Sequence, residues 1–169
     1  MASTALVSIE EYLRTSYRPD RDYVDGVVLE RNFGELRHSR VLGALLTWLH
    51  GWRKSLGIHV FVEMRIRVGA TRYRIPDVCV YRGEEPAESV PSAPPYLCIE
   101  VLSPDDTIHA MQARIDDYFA MGVPQVWVID PDTRRAWIHT PGSSCEVKDG
   151  VLRTAGADIA VRLEELFEG

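Results

Sequence analysis

The segment YLCIEVL, residues 96–102, most narrows the folds open to this chain, because it is apolar on both faces. A strand of this kind belongs at the centre of a sheet that is covered on both sides. Helical patterns stand on either side of it in the sequence. Apolar residues recur at helical spacing from about Gly34 to Leu56, and SPDDT (103–107) can cap a helix that extends to Met121. These patterns predict an α/β fold with a mixed central sheet flanked by helices.

Shorter elements are predicted towards the two ends of the chain. Ser8 and Glu11 form a capping-box pattern, and Asp25-Gly26 is a strong turn signal for an N-terminal hairpin. The strictly alternating run HVFVEMRIRV (59–68) predicts one strand. Further strands are predicted at 73–81 and 126–130, followed by C-terminal β-strands with a hairpin turn at Asp149-Gly150. Residues 1–169 are expected to form a single domain.

Composition and cysteine usage indicate an ordinary globular protein of a reducing compartment. No stretch approaches the roughly 20 apolar residues of a membrane span, and the N-terminus carries no basic leader. Of the three cysteines, Cys79 and Cys98 fall inside apolar strand patterns. An odd count at such positions favours buried thiols over a disulfide framework. We therefore expect a cytoplasmic protein with no membrane partner.

The charges are distributed unevenly along the chain. A net charge of −6 argues against a general nucleic-acid binder, yet residues 1–82 carry a net +4 and residues 83–169 a net −10. Seventeen of the nineteen basic residues are arginine, the side chain best suited to bidentate phosphate contacts. A GC-rich genome would produce the same excess of arginine, so both explanations stay open.

Two carboxylates stand at strand positions where burial is expected. Asp77 heads the run DVCVY, and Glu100 lies between Ile99 and Val101, with no other charge partner evident for either acid. If the two strands are neighbours, both side chains reach one pocket. Together with the carbonyl of Val101 they would make a site for Mg²⁺ or Mn²⁺. Alternatively, Asp77 caps the strand entry and Glu100 pairs with an arginine; the spacing alone does not decide between these.

The same residues carry a resemblance to a known family. RIPDVCVY and IEVLSPDD, whose acids are 23 residues apart, resemble the PD-(D/E)XK nuclease signature. More closely, YVDGVVLE, PDVCVY, CIEVLSPDD and RIDDYFAMGVPQVWVIDP resemble the Uma-two (Uma2) family of bacterial restriction-endonuclease-like proteins. The resemblance implies a restriction-endonuclease-like core and Mg²⁺-dependent cleavage of DNA. By position, it makes Asp77 and Glu100 the metal ligands.

One position departs from the parent signature. The signature has a lysine two residues after the second acid, and here that residue is Leu102. In the resembling family the lysine stands in the next helix, four residues before a tyrosine, which corresponds to Arg114 here. Arginine can stabilise phosphate charge but cannot serve as a general base, so the base would be metal-bound water or the substrate. Catalysis either survives with this altered cation or is lost. Alternatively, Arg114 is a helix-surface arginine near Asp116 or Asp117.

Three weaker candidates complete the predicted site. The resemblance places His38, early in the long helix, at the edge of the active site; by itself it would be a capping or core histidine. Glu63 shares a strand face with Arg65 and Arg67, so it is either a further carboxylate of the pocket or their salt-bridge partner. Gln112 lies two positions before Arg114 and is a candidate for the immediate surroundings of the reacting groups.

We interpret the sequence as a Mg²⁺-dependent endonuclease that hydrolyses phosphodiester bonds of double-stranded DNA. The predicted catalytic residues are Asp77, Glu100, Arg114, His38 and Glu63, with Asp77, Glu100 and Val101 holding the metal. Because cutting both strands of a duplex usually needs two sites, a homodimer is expected. A catalytically inactive module of the same fold that binds nucleic acid or a protein is the alternative, and a hydrolase of small phosphate esters is a third possibility. Candidate contacts to the DNA backbone are Arg31, Arg37, Arg40, Arg65, Arg67, Arg72 and Arg74.

Overall fold

The computed structural model describes residues 6–31, 35–156 and 158–168, and it has the predicted mixed sheet flanked by helices. The helices are α1 (Ile9–Arg14), α2 (Leu36–Leu56), α3 (Ile108–Met121) and α4 (Leu163–Phe167). The strands are β1 (Asp22–Val24), β2 (Val27–Leu29), β3 (Ile58–Val62), β4 (Ile66–Gly69), β5 (Arg72–Arg74), β6 (Val78–Arg82), β7 (Leu97–Val101), β8 (Val126–Asp130), β9 (Arg135–Thr140), β10 (Ser143–Glu146), β11 (Val151–Arg153) and β12 (Ala160–Arg162).

The central sheet has six strands in the order β10-β9-β8-β7-β6-β3. β7 and β8 run parallel, and the other neighbouring pairs run antiparallel. β7 is buried along its whole length, as its two apolar faces predict. Its alternating side chains divide between two cores. Leu97, Ile99 and Val101 pack with α2 on one face of the sheet. Cys98 packs with α3 on the other face.

A smaller antiparallel sheet, in the order β2-β1-β5-β4, lies beside the central one. Its β1–β2 hairpin turns at Asp25 and Gly26, whose φ angles of 49° and 90° are both positive. A two-residue hairpin turn of this kind needs positive φ at both positions, which explains the Asp-Gly pair. β5 joins this hairpin to β4, so the sheet combines segments from both sides of α2.

Residues 59–68 form two strands in different sheets, so the prediction of one continuous strand is wrong. β3 pairs with β6 in the central sheet, whereas β4 pairs with β5 in the smaller one. Glu63 lies between them with φ of 47°, a left-handed conformation that interrupts an extended chain. The apolar alternation runs through this interruption and therefore does not reveal it. Glu63 consequently does not share a strand face with Arg65 and Arg67.

Two further strand predictions are corrected. Residues 73–81 are divided between β5 and β6, with Asp77 immediately before β6. The predicted hairpin at Asp149-Gly150 is wrong, because β10 pairs with β9 around Pro141-Gly142 and β11 pairs with β12. Both dipeptides are turn signals, but only strand partnership decides which of them closes a hairpin.

The helix predictions hold where the structure describes them. Ser8 accepts a hydrogen bond from the backbone N–H of Glu11 at the start of α1, and Thr107 caps α3 in the same way. The predicted start of the long helix at Gly34 lies outside the described residues; α2 extends from Leu36 to Leu56. Across residues 6–31, 35–156 and 158–168, no helix is both long and apolar enough to cross a membrane.

Candidate active site

Asp77 and Glu100 meet at one end of the central sheet. β6 and β7 are neighbours with Val78 opposite Ile99, so Asp77 lies beside the last residues of β7. The backbone N–H of Val101 donates a hydrogen bond of 2.7 Å to Asp77 Oδ2. The acid at the entry of one strand is thereby fixed against the end of the next.

These residues border a cleft of about 370 Å³, which we call the acid cleft. Four of the predicted catalytic side chains, and the predicted ligand Val101, are among the residues that line it: Asp77, His38, Glu63, Arg114 and Val101. Glu100 is 1% exposed and is not among the lining residues, but it contacts Arg114, which is. The tertiary structure therefore brings the six predicted residues into one place, although they are spread over nearly eighty positions of the chain.

Asp77 has close charged partners that the sequence did not make evident. Arg31 Nη2 donates to Asp77 Oδ1 at 2.6 Å, and His38 Nε2 lies 3.4 Å from Oδ2. Burial opposes ionisation of the carboxyl, but the contacts with His38, Arg31 and Val101 outweigh it and lower the pKa of Asp77. The hydrogen bond with Asp77 in turn raises the pKa of His38. Asp77 is therefore held ionised beside the Arg31 guanidinium and the His38 ring.

Glu100 is more deeply buried than Asp77, and its arginine partner lies farther from the carboxylate. The Tyr118 hydroxyl donates a hydrogen bond to Glu100 Oε1, and Arg114 Nη1 lies 3.4 Å from Oε2. Burial raises the pKa of Glu100 to about 7, and the charge of Asp77 adds to this against the opposing effect of Arg114. The alternative that Glu100 pairs with an arginine is thus observed, but this contact of 3.4 Å does not offset the effect of burial on the pKa of Glu100.

Arg114 points inward from α3 towards the carboxylates. Its guanidinium lies 3.4 Å from Glu100, 3.5 Å from Asp106 and 3.7 Å from Asp22. The side chain is 12% exposed. The alternative of a surface arginine near Asp116 or Asp117 is therefore wrong.

Asp116 and Asp117, the predicted partners of a surface Arg114, contact other residues. Asp117 pairs with Arg72 and Arg74, and Asp116 accepts a hydrogen bond from Gln112. Gln112 is exposed on α3 and does not line the acid cleft, so its predicted place beside Arg114 is not observed. Arg65 pairs with Asp20, and Arg67 donates to the carbonyl of Gly69. Among the described residues neither arginine pairs with Glu63, so the salt-bridge explanation for Glu63 is not supported.

Several residues of the site were not predicted from the sequence. Arg31 was expected only as a contact to the DNA backbone, and Tyr118 was expected only as the tyrosine four residues after Arg114. Asp22 and Asp106 were not considered at all, although both contact Arg114. No local pattern marks Arg31, because it meets Asp77 across 46 positions of the chain.

Two of the site's groups are ligands of the type that a hard divalent cation prefers. Asp77 and Glu100 are carboxylates, Val101 lines the cleft, and a carboxylate oxygen can accept more than one contact. Within the described residues, no group of three or more His, Cys, Asp or Glu side chains is arranged to hold a metal. Mg²⁺ commonly uses one or two protein carboxylates and keeps several waters, so two acids suffice.

Comparisons with known proteins identify a family and a similar fold. Residues 9–163 match the profile of the Uma2 family, which is described as "Putative restriction endonuclease". The fold is similar to a crystal structure described as a putative nuclease belonging to DUF820 from Anabaena variabilis ATCC 29413. The TM-score is 0.81 at 19% sequence identity, and the alignment covers 95% of this chain and 97% of the other. No curated protein matches the sequence.

Proposed function

The chain belongs to the Uma2 family, and from this premise we propose that it is a Mg²⁺- or Mn²⁺-dependent endonuclease that hydrolyses phosphodiester bonds of double-stranded DNA. One observation supports this most: Asp77 and Glu100 adjoin at the end of neighbouring strands, and Glu100 keeps a raised pKa despite its arginine partner. Four carboxylates are among the described residues that line the acid cleft (Asp20, Glu63, Asp77 and Asp106), against two arginines and His38, so a divalent cation would meet an excess of negative charge there.

In this proposal Asp77, Glu100 and the Val101 carbonyl hold the metal. A bound divalent cation would polarise the phosphodiester and stabilise charge on the leaving oxygen. Arg114 and Arg31 lie on the walls of the acid cleft and present guanidinium groups to a phosphate there. They act by charge and hydrogen bonding, because an arginine does not give up its proton in proteins.

His38 and Glu63 support the reaction from the same cleft. The contact with Asp77 favours protonated His38, which can donate a hydrogen bond to a phosphate oxygen. Glu63 is exposed at the cleft and held in its left-handed turn, with its backbone N–H donating to the carbonyl of Asp77. Its carboxylate is a candidate acceptor for a proton from water.

The ion pairs of the cleft favour a second candidate function. Arg31 and Arg114 already contact the two acids. A nuclease-fold protein whose arginines compensate its acids permanently would bind nucleic acid or a protein without cutting. The two candidates differ in whether a divalent cation displaces part of these contacts.

Calorimetry and plasmid nicking separate the candidates. We expect wild type to bind Mn²⁺ and to nick supercoiled plasmid only in its presence, and we expect Asp77→Asn to lose both properties. Asp116→Asn is the matched control, because it removes an aspartate charge on exposed α3 outside the acid cleft. Equal Mn²⁺ binding by wild type and Asp77→Asn would contradict the metal assignment. Metal binding without nicking would favour the binding module.

A further inference from the structure

A second polar cleft, of about 290 Å³, lies against the first turns of α2. Three arginines line it, namely Arg37, Arg40 and Arg134, and we call it the arginine cleft. Asp132 is the one carboxylate among its described lining residues. The nearby Asp130 accepts hydrogen bonds from the backbone and hydroxyl of its own turn, which hold its carboxylate in that turn. The cleft therefore carries an excess of positive charge.

The arginine cleft and the acid cleft flank the same part of α2. His38 and Leu42 line the acid cleft, whereas Arg37 and Val41, one position earlier in each turn, line the arginine cleft. Consecutive residues of a helix point about 100° apart around its axis. The two clefts therefore open on adjacent faces of the first turns of α2.

The arginines of this cleft are available to a ligand. Arg40 is exposed and has no ion-pair partner among the described residues, and Arg134 is exposed with its guanidinium 5.5 Å from the ring centre of Phe167. Arg37 pairs with Asp132 at 2.9 Å, but both side chains are largely exposed, and such surface pairs contribute little. An incoming phosphate can take the place of Asp132.

The other arginines that the sequence offered for DNA contact are mostly engaged within the protein. Arg65 pairs with Asp20, and Arg72 and Arg74 share Asp117. Their charge is therefore already compensated inside the fold. Arg37, Arg40 and Arg134 are therefore the group of arginines beside the acid cleft that is available to bind DNA. The basic N-terminal half as a whole is not.

We propose that the arginine cleft binds the phosphate backbone of duplex DNA next to the phosphate that enters the acid cleft. The inference rests on the proposed nuclease function and names the surface that positions its substrate. Guanidinium groups bind phosphate oxygens through two parallel hydrogen bonds, which fixes the register of the strand. Arg134 joins this surface although it lies in the acidic half of the sequence.

The test measures DNA binding without cleavage, by fluorescence anisotropy of a labelled duplex in buffer with chelator over a series of salt concentrations. The double variant Arg40→Ala/Arg134→Ala should raise Kd several-fold. It should also reduce the slope of log affinity against log salt by about 0.9 for each lost phosphate contact. Asp132→Asn should tighten binding, because it removes the one carboxylate of the cleft and releases Arg37.

The matched control is Arg53→Ala/Lys54→Ala, which removes two exposed charges from the opposite end of the same helix. It should leave both Kd and the salt slope near wild type. An equal loss in the control and the cleft variant would overturn the inference, because binding would then follow overall charge. Normal binding by Arg40→Ala/Arg134→Ala would overturn this inference alone. Absence of duplex binding by wild type would overturn the proposed DNA substrate as well.

Discussion

Asp77 and Glu100 are neighbouring carboxylates whose pKa values move in opposite directions. Asp77 accepts hydrogen bonds from a guanidinium and a backbone N–H and lies beside His38, so its ionised form is favoured. Glu100 is buried more completely, and its guanidinium contact is longer. Environments that shift the pKa values of two neighbouring acids in opposite directions are typical of catalytic sites. At neutral pH Asp77 is ionised, whereas the charge of Glu100 changes with pH or with a bound cation.

This difference gives a prediction for Glu100→Gln in metal-free buffer. The folded-state pKa of Glu100, about 7, lies above the ordinary value of 4.5. The stabilising contribution of its protonated form is therefore complete below pH 4.5 and is lost as pH rises through about 7. Relative to Glu100→Gln, wild type should lose a few kcal/mol of unfolding free energy over this range.

Urea denaturation at pH 5 and pH 8 measures that change. We expect similar stabilities at pH 5 and a more stable Glu100→Gln variant at pH 8. The control Glu84→Gln, at an exposed loop position, should follow the wild-type profile. A Glu100→Gln variant that is less stable at pH 8 would show that the carboxylate serves mainly as the structural partner of Arg114.

Arg114 gives the second prediction at this scale. If its positive charge stabilises the scissile phosphate, Arg114→Lys should retain or increase plasmid nicking in Mn²⁺, whereas Arg114→Ala should abolish it. The ammonium of lysine supplies the same charge and can also shift its pKa when desolvated. Asp77→Ala serves as the control for contaminating nuclease. Nicking by Arg114→Ala at the wild-type rate would exclude this role.

At the scale of elements, a chain of ion pairs connects the small sheet to α3 and to the acid cleft. Arg74 in β5 pairs with Asp117 on α3 and with Asp22 in β1, and all three side chains are buried. Asp22 also lies 3.7 Å from Arg114. The small sheet thus contributes directly to the orientation of a proposed catalytic side chain.

Removing one member of this chain should be costly. Asp117→Ala leaves Arg74 buried with Asp22 as its remaining carboxylate, so we expect a loss of about 3 kcal/mol, at the lower end of the range for broken buried pairs. Urea denaturation measures the loss. Asp116→Ala, at the adjacent exposed position, should cost far less. Equal effects of the two substitutions would mean that the buried ion pairs contribute little to stability.

At the scale of the whole molecule, the proposed reaction leads us to expect a homodimer. One chain offers one acid cleft, and cutting both strands of a duplex needs two. Sedimentation equilibrium should therefore give twice the chain mass of 19.1 kDa. A monomer at concentrations where plasmid is cut would contradict this expectation. In that case the products should be single-strand nicks rather than linear plasmid.

The sequence by itself determined those features that depend on neighbours in the chain. The two apolar faces of β7, the caps of α1 and α3 and the Asp25-Gly26 turn are set by residues a few positions apart, and the structure confirms each. The motif residues Asp77 and Glu100 were found in the same way, because Asp77 heads one apolar strand and Glu100 interrupts another. The family resemblance then added Arg114 and His38, which no local pattern identifies.

Only the tertiary structure decided the charge partners and the sheet boundaries. Arg31 reaches Asp77 across 46 positions and Arg74 reaches Asp22 across 52, so packing rather than spacing selects these partners. Packing also decides that the chain breaks at Glu63. The segments on either side of Glu63, β3 and β4, have the same apolar alternation but pair with different strands. Hydrophobic periodicity records which side of a segment is buried, but it contains no information about what covers that side. Ion pairs, strand partners and clefts are formed by segments far apart in the chain, and for that reason they appear only in the folded molecule.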